Sequence, residues 1–378
     1  MFFSSNIGDP VLFWIFRFLL LLILIFCGYG MSFNKEDNFN KYAVSAIIPY
    51  AIIEGLRWMR GRDYYHYYQD LVTNLEGALC TPEPELLYRI WINIFYKIGF
   101  PYYLAFILYS ALLLTAFIFV IKVYRKSAFI ALPVFFIMFS LTAENLIRQY
   151  LAVCFLLFAL GFYLRDNRKY TYIMLAIVPF IHITGIFGIV LFLLFTKTKI
   201  NLKSPIILIG IYLFFYFLWN SSYFSYITNA ISLINIGFSR DHYIQNADYW
   251  FSGETTVGNN EQSLISKFSQ FILYIIMIYK GFEYQKLNQK FKVIFYFSYI
   301  SILIITIGNN IEIYRRFYNW LGYSIPMTLG VIFMYNPNIN KRIRLIMLLL
   351  IIIQYGYCGF ISTVKLPLET GYGFIWDK

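Results

Sequence analysis

The chain has 378 residues, 60% of them hydrophobic and 13% charged, with a mean hydropathy of +0.62, values that belong to polytopic membrane proteins and not to soluble domains. Its net charge of +12 is, in such a chain, a topology signal before it is a nucleic-acid signal, and no nucleic-acid partner is expected. The cysteines Cys27, Cys80, Cys154 and Cys358 are scattered, with no spacing that suggests a disulfide framework or a zinc site.

The length accommodates roughly ten to twelve helices of about 20 residues and one sizeable loop. One all-α, integral membrane domain over 1–378 is therefore expected. The first apolar run, 10–30, has no small-residue cleavage site after it and reads as a retained helix. Arg17 lies near its outer end, where it can snorkel. A second span follows at 42–56, and then an outer-face segment, 57–99. That segment packs Arg57, Arg60 and Arg62 into six residues, continues through Asp63, Tyr64, Tyr65, His66, Tyr67, Tyr68 and Asp70, and ends in an amphipathic stretch, 85–99.

Further spans are expected at 100–121, 127–141 and 145–164. The apolar run 170–195 has His182 near its middle and basic clusters on both sides, Arg165, Arg168 and Lys169 before it and Lys197, Lys199 and Lys203 after it. If both clusters are cytoplasmic, the run enters and leaves by one face, as a re-entrant hairpin with its bend between Pro179 and Gly185 and His182 at the tip. The alternative is one long tilted helix. Later spans are expected at 205–219, 266–278, 291–308, 313–335 and 343–362. The long connection 220–262, polar and aromatic and containing Arg240, reads as an ordered outer-face lid.

Putting the lysine-bearing turns inside closes the alternation of spans. Those turns hold 18 of the 31 basic residues, 13 of them Lys, whereas nine Arg fall on or near the other face. Guanidinium on the outer face runs against the insertion bias. Its fork of donors matches phosphate and carboxylate, so an anionic ligand is one explanation and headgroup anchoring the other.

Three polar constellations carry candidate chemistry. Asn145, Arg148 and Gln149 open a span with Glu144 one residue ahead; Glu144 and Arg148 are spaced i, i+4, as are Asn145 and Gln149, so each pair is expected to share a helix face. The two charges then either neutralise each other or present an anion site at a helix N-terminus. Arg315 and Arg316 lie beside Asn309, Asn310 and Glu312, and adjacent helical positions diverge by about 100°, so one faces inward and the other anchors. Asp63, His66 and Asp70 share a helical face but lack a fourth ligand, and no metal is assigned. His182 is the only histidine in an apolar run, and is either a satisfied buried histidine or a general base or diphosphate donor. No Gly-rich phosphate loop, GxSxG or HExxH occurs, and no cofactor is expected.

These residues resemble the EpsG/Wzy-type family of bacterial polysaccharide polymerases. The resemblance rests on Arg62-Asp63-Tyr64 with Tyr67 and Tyr68, on Asn145-Leu146-Ile147-Arg148-Gln149 with Leu151 and Ala152, on Phe180-Ile181-His182-Ile183-Thr184, and on Arg315-Arg316-Phe317-Tyr318. The glycine at 61 is shifted by one from the family's first motif, leaving Arg60 and Arg62 as alternatives. The resemblance implies a GT-C-like, metal-independent glycosyltransferase in the bacterial cytoplasmic membrane. Its donor and acceptor would be polyprenyl-diphosphate-linked oligosaccharides, with a chain-length regulator as a candidate partner. Arg60, Arg62, Tyr64, Tyr67, Glu144, Asn145, Arg148, Gln149, Arg240, Arg315 and Arg316 would bind the substrates, with the arginines on the diphosphate and the tyrosines at the sugars, and His182 or Asp63 would be the base. A flippase of lipid-linked sugar and a membrane O-acyltransferase are the competing functions.

Overall fold

Apolar runs separated by short polar turns fold as helices throughout. The computed structural model describes residues 8–61, 63–75, 85–197, 204–218, 263–308, 312–359 and 372–377, and the only extended pairing among them is an isolated bridge between Arg57 and Phe374. The helices are α1 (Pro10–Phe33), α2 (Phe39–Gly55), α3 (Tyr64–Thr73), α4 (Leu86–Ile98), α5 (Tyr102–Ile121), α6 (Ala128–Asn145), α7 (Ile147–Leu164) and α8 (Arg168–Ile181). They continue as α9 (Ile186–Lys197), α10 (Pro205–Leu218), α11 (Leu264–Leu287), α12 (Phe291–Gly308), α13 (Glu312–Leu321), α14 (Ser324–Tyr335) and α15 (Lys341–Ile351). The last runs into a π-helical turn, Ile352–Gly359.

Among the described residues six helical stretches are long and apolar enough to cross a membrane. One of these, Tyr102–Asn145, bends at Tyr124 (φ −120°, ψ 55°), and α5 and α6 run antiparallel with the Tyr109 hydroxyl donating to Ala143 O at 2.8 Å. Large apolar side chains such as Phe18, Phe26, Ile206, Phe217 and Phe268 remain on the outside, a pattern that lipid and not water satisfies. The chain is an all-α polytopic membrane protein.

Local chemistry sets the helix limits. The Asp9 carboxylate accepts the Val11 N–H at 2.8 Å, and Pro10 takes the first helical position, where its missing N–H leaves nothing unpaired. Helix α1 then packs against α6 so closely that a Cβ on Gly28 would lie 2.7 Å from Ala128 O.

At one end of the bundle the turns are tied to one another. Arg125 donates to Asn34 O at 2.9 Å, the Tyr335 hydroxyl accepts the Lys126 N–H at 3.1 Å, the Tyr124 hydroxyl donates to Asn288 at 3.3 Å, and Lys290 reaches Asp166 at 2.5 Å. Helices α8 and α9 fold back on each other toward this same end, with Lys197 Nζ 5.7 Å above the Tyr172 ring. His182, extended at φ −155° and ψ 113°, forms the break between them, followed by a 3₁₀ turn at Ile183–Gly185.

The structure corrects several sequence expectations. The stretch 313–335 is two helices, divided where Gly322 and Tyr323 turn the chain, and 266–278 is the middle of a longer helix, α11. Asn145 closes α6 instead of opening α7, because Leu146 (φ −111°, ψ 51°) breaks the helix. Glu144 and Arg148 therefore do not share a face, nor do Asn145 and Gln149. Arg17 does not snorkel: it is 4% exposed and bonded inside the bundle.

Candidate functional site

The end opposite the lysine-bearing turns holds two layers of charge. The deeper layer is closed. Arg60 meets Glu144 through two contacts, Nε to Oε2 at 3.0 Å and Nη2 to Oε1 at 2.5 Å, and its Nη2 also reaches Glu54 Oε2 at 3.2 Å. Arg17 bonds Glu54 Oε1 at 3.2 Å and donates to the Ser140 hydroxyl. Arg57 is fully buried, donates to Glu54 O at 2.9 Å and lies 4.7 Å over the Phe106 ring. Three guanidinium groups and two carboxylates from α1, α2, the segment after it and α6 thus gather out of contact with solvent: Arg17 and Arg60 are paired with the carboxylates, whereas Arg57 carries the excess positive charge, its Nε and Nη2 buried without a hydrogen-bond partner. Removing either carboxylate strands the guanidinium groups it holds.

The C-terminal residues roof this layer. Trp58 N–H donates to Gly373 O at 2.8 Å and Ile375 N–H to Leu56 O at 3.0 Å, which seats the Phe374 ring 5.2 Å from the Arg60 guanidinium. Beside them Gly61 takes φ +105°, and a Cβ there would lie 2.3 Å from Asn145 Oδ1, so the position is reserved for glycine on both counts.

The outer layer is partly open. Glu85, which precedes α4, accepts the Ile183 N–H at 3.0 Å and lies 3.2 Å from His182 Nδ1 through the same oxygen, Oε1; its Oε2 lies 3.7 Å from Arg148 Nη1. Burial alone would raise the Glu85 carboxyl, but the His182 and Ile183 contacts outweigh it and hold it down at about 2. The His182 ring stacks on Trp320 of α13 at 5.9 Å and 23°. Helix α13 is clasped to α7 by Gln149, which donates to Arg316 O at 2.7 Å, and by Tyr150, which donates to Asn319 at 3.2 Å.

Helix α3 faces this group. Tyr67 is buried and pushed up to about 12, chiefly by loss of water and then by Asp63, against the opposing pull of Arg148 and Arg316. Asp70 accepts the Tyr88 hydroxyl at 3.0 Å and is raised by its burial. The guanidinium of Arg148 sits 5.6 Å over the Tyr88 ring. Trp58, Tyr64, Tyr68 and Tyr102 form a continuous aromatic patch alongside, Tyr68 and Tyr102 meeting edge-on at 4.9 Å.

The sequence candidates thus divide. His182, Asp63, Tyr67, Arg148, Gln149 and Arg316 converge on the outer layer, from motifs far apart in the chain. Arg60 and Glu144 lie beneath it, 1% and 3% exposed and bonded to each other, with Tyr64 buried and Asn145 half-buried between the layers. Arg316 is half-buried and Arg315 exposed, which distinguishes the tandem pair. Arg62 and Arg240, the loop 220–262, and Asn309 and Asn310 lie outside the described residues. Asp63, His66 and Asp70 do not gather as ligands: among the described residues no group of three His, Cys, Asp or Glu is arranged to hold a metal ion.

Two acids that the sequence argument passed over matter most. Glu54 was legible as a lone carboxylate inside an apolar span, which is a signal in itself. Glu85 carried only the weaker mark of an acid at a helix start.

The EpsG family model matches residues 40–374, and the chain belongs to the EpsG family. No curated protein and no solved structure matches it.

Proposed function

We propose that this EpsG-family membrane protein is a polymerase that joins polyprenyl-diphosphate-linked oligosaccharide units at the outer face of the bacterial cytoplasmic membrane. The observation that carries the proposal is the meeting of Arg148, Arg316 and His182, drawn from three separate helical segments, around Tyr67, Glu85 and Trp320 at the arginine end. Lysine-rich turns at the far end of the bundle favour the cytoplasm there, which leaves the arginine end outside.

In this reading His182 takes the proton from an acceptor sugar hydroxyl. The freed oxygen attacks the anomeric carbon of the donor, and the bond from that carbon to the diphosphate oxygen breaks. The diphosphate leaves with the electron pair, and Arg148 and Arg316 stabilise the charge it gains. Guanidinium supplies at this site the charge neutralisation that a divalent cation gives elsewhere, so the reaction proceeds without a metal. The half-buried rings of Trp58, Tyr68 and Tyr102, backed by the buried Tyr64, are suited to the apolar faces of sugar rings.

The test is polymer formation by the purified protein in proteoliposomes, using lipid-linked oligosaccharide extracted from the producing cell, with and without EDTA. Polymer of graded length in both conditions supports the proposal. Movement of fluorescently labelled donor across the vesicle, with no polymer made, overturns it in favour of transport.

A further inference from the structure

We propose that Glu85 is the positioning acid of His182, fixing the imidazole with its proton on Nδ1 and Nε2 as the basic nitrogen, while its second oxygen holds Arg148 beside it. The inference rests on the reading of His182 as the base and adds the group that sets it to work.

The geometry constrains the tautomer. Oε1 of Glu85 already accepts the Ile183 N–H at 3.0 Å, and His182 Nδ1 lies 3.2 Å from the same atom. An ionised carboxylate oxygen only accepts, so a lone pair on Nδ1 would face lone pairs on Oε1 and repel; a proton on Nδ1 makes the contact a hydrogen bond. In a neutral imidazole the proton-accepting nitrogen is then Nε2. Glu85 is held ionised by these same contacts, so it remains an acceptor across the physiological range.

Orientation is fixed as well as tautomer. Trp320 stacks against the ring at 5.9 Å, and the chain break at His182 displays the side chain between α8 and the turn that follows it. The second oxygen of Glu85 lies 3.7 Å from Arg148 Nη1, so one carboxylate, 13% exposed, spans the base and an anion-binding guanidinium. A carboxylate behind an imidazole also raises its basicity, which suits proton abstraction from a sugar hydroxyl.

The full chain contains three histidines, so selective ¹⁵N-histidine labelling in detergent micelles gives a simple spectrum, with His182 assigned by loss of its signals in His182→Gln. The neutral His182 ring is expected as the Nδ1–H tautomer in the wild type. Glu85→Ala shifts it to Nε2–H, and Glu85→Gln, whose amide oxygen still accepts, keeps it as Nδ1–H. In the polymer assay Glu85→Ala slows synthesis by roughly 100-fold and Glu85→Gln recovers most of that loss.

An Nε2–H ring in the wild type, or no tautomer change in a folded Glu85→Ala protein, overturns the assignment. So does wild-type polymer synthesis by Glu85→Ala when His182→Gln makes none. Failure of the underlying reading has its own signature: His182→Gln makes polymer at the wild-type rate, and the positioning role falls with it.

Discussion

Arg60 and Glu144, 84 positions apart in the chain, meet as a forked pair with contacts at 3.0 and 2.5 Å, and both are almost completely enclosed. Truncating one partner strands the other in a low-dielectric interior. Arg60→Ala or Glu144→Ala is expected to destabilise the protein by about 3–5 kcal/mol, whereas the joint replacement Arg60→Met with Glu144→Leu loses less than either. Thermal unfolding in detergent of the two single variants and the double variant measures this. A double variant less stable than both singles refutes the pairing as the source of stability.

Arg148 and Arg316, proposed to hold the diphosphate, are each partly exposed, so their replacement is expected to affect turnover more than folding. Arg148→Ala and Arg316→Ala should each slow polymer synthesis by roughly 100- to 1,000-fold, the usual effect of removing one donor to a developing anion. Arg148→Lys restores only part of the rate, because an ammonium group lacks the two-point fork. Initial rates at saturating donor, with melting temperature as the control, provide the measurement. Wild-type rates in both alanine variants would place the diphosphate elsewhere.

Orientation has a direct readout. In a background lacking the native cysteines, Val72→Cys on α3 is expected to react with a membrane-impermeant maleimide in intact cells, as Val72 is 39% exposed at the arginine end. Lys286→Cys, in the last turn of α11, is expected to react only after permeabilisation. The reverse pattern inverts the topology and removes the outer-face assignment.

The C-terminal roof should matter although it lies far from Arg60 in sequence. Phe374 is 2% exposed and touches both the Arg60 guanidinium and the Phe16 ring. Phe374→Ala is expected to cost about 3 kcal/mol. It should also raise hydrogen exchange at Trp58 and Ile375, whose backbone bonds hold the strap. Unchanged exchange at both amides argues that the pairing persists without the ring.

Much of this was legible in the amino-acid sequence. Long apolar runs with short basic turns dictate membrane helices, and the unequal distribution of Lys and Arg separates the two ends. His182, Arg148, Gln149 and the pair Arg315 and Arg316 stood out because polar groups at such positions need partners, though the sequence left open which of the pair faces inward. What escaped was direction. Periodicity assumes an unbroken helix, so Glu144 appeared to accompany Arg148, whereas the single non-helical residue Leu146 sends them different ways. Arg60 looked like a ligand contact because its partners, Glu54 and Glu144, are on other elements, and only the folded chain brings them within bonding distance.

That break at Leu146 has a wider effect. It cuts what would be one polar stripe into an enclosed half at Glu144 and a partly open half at Arg148. Substitutions around Arg148 and around Glu144 therefore meet different surroundings, the first a partly open layer and the second enclosed ion pairs.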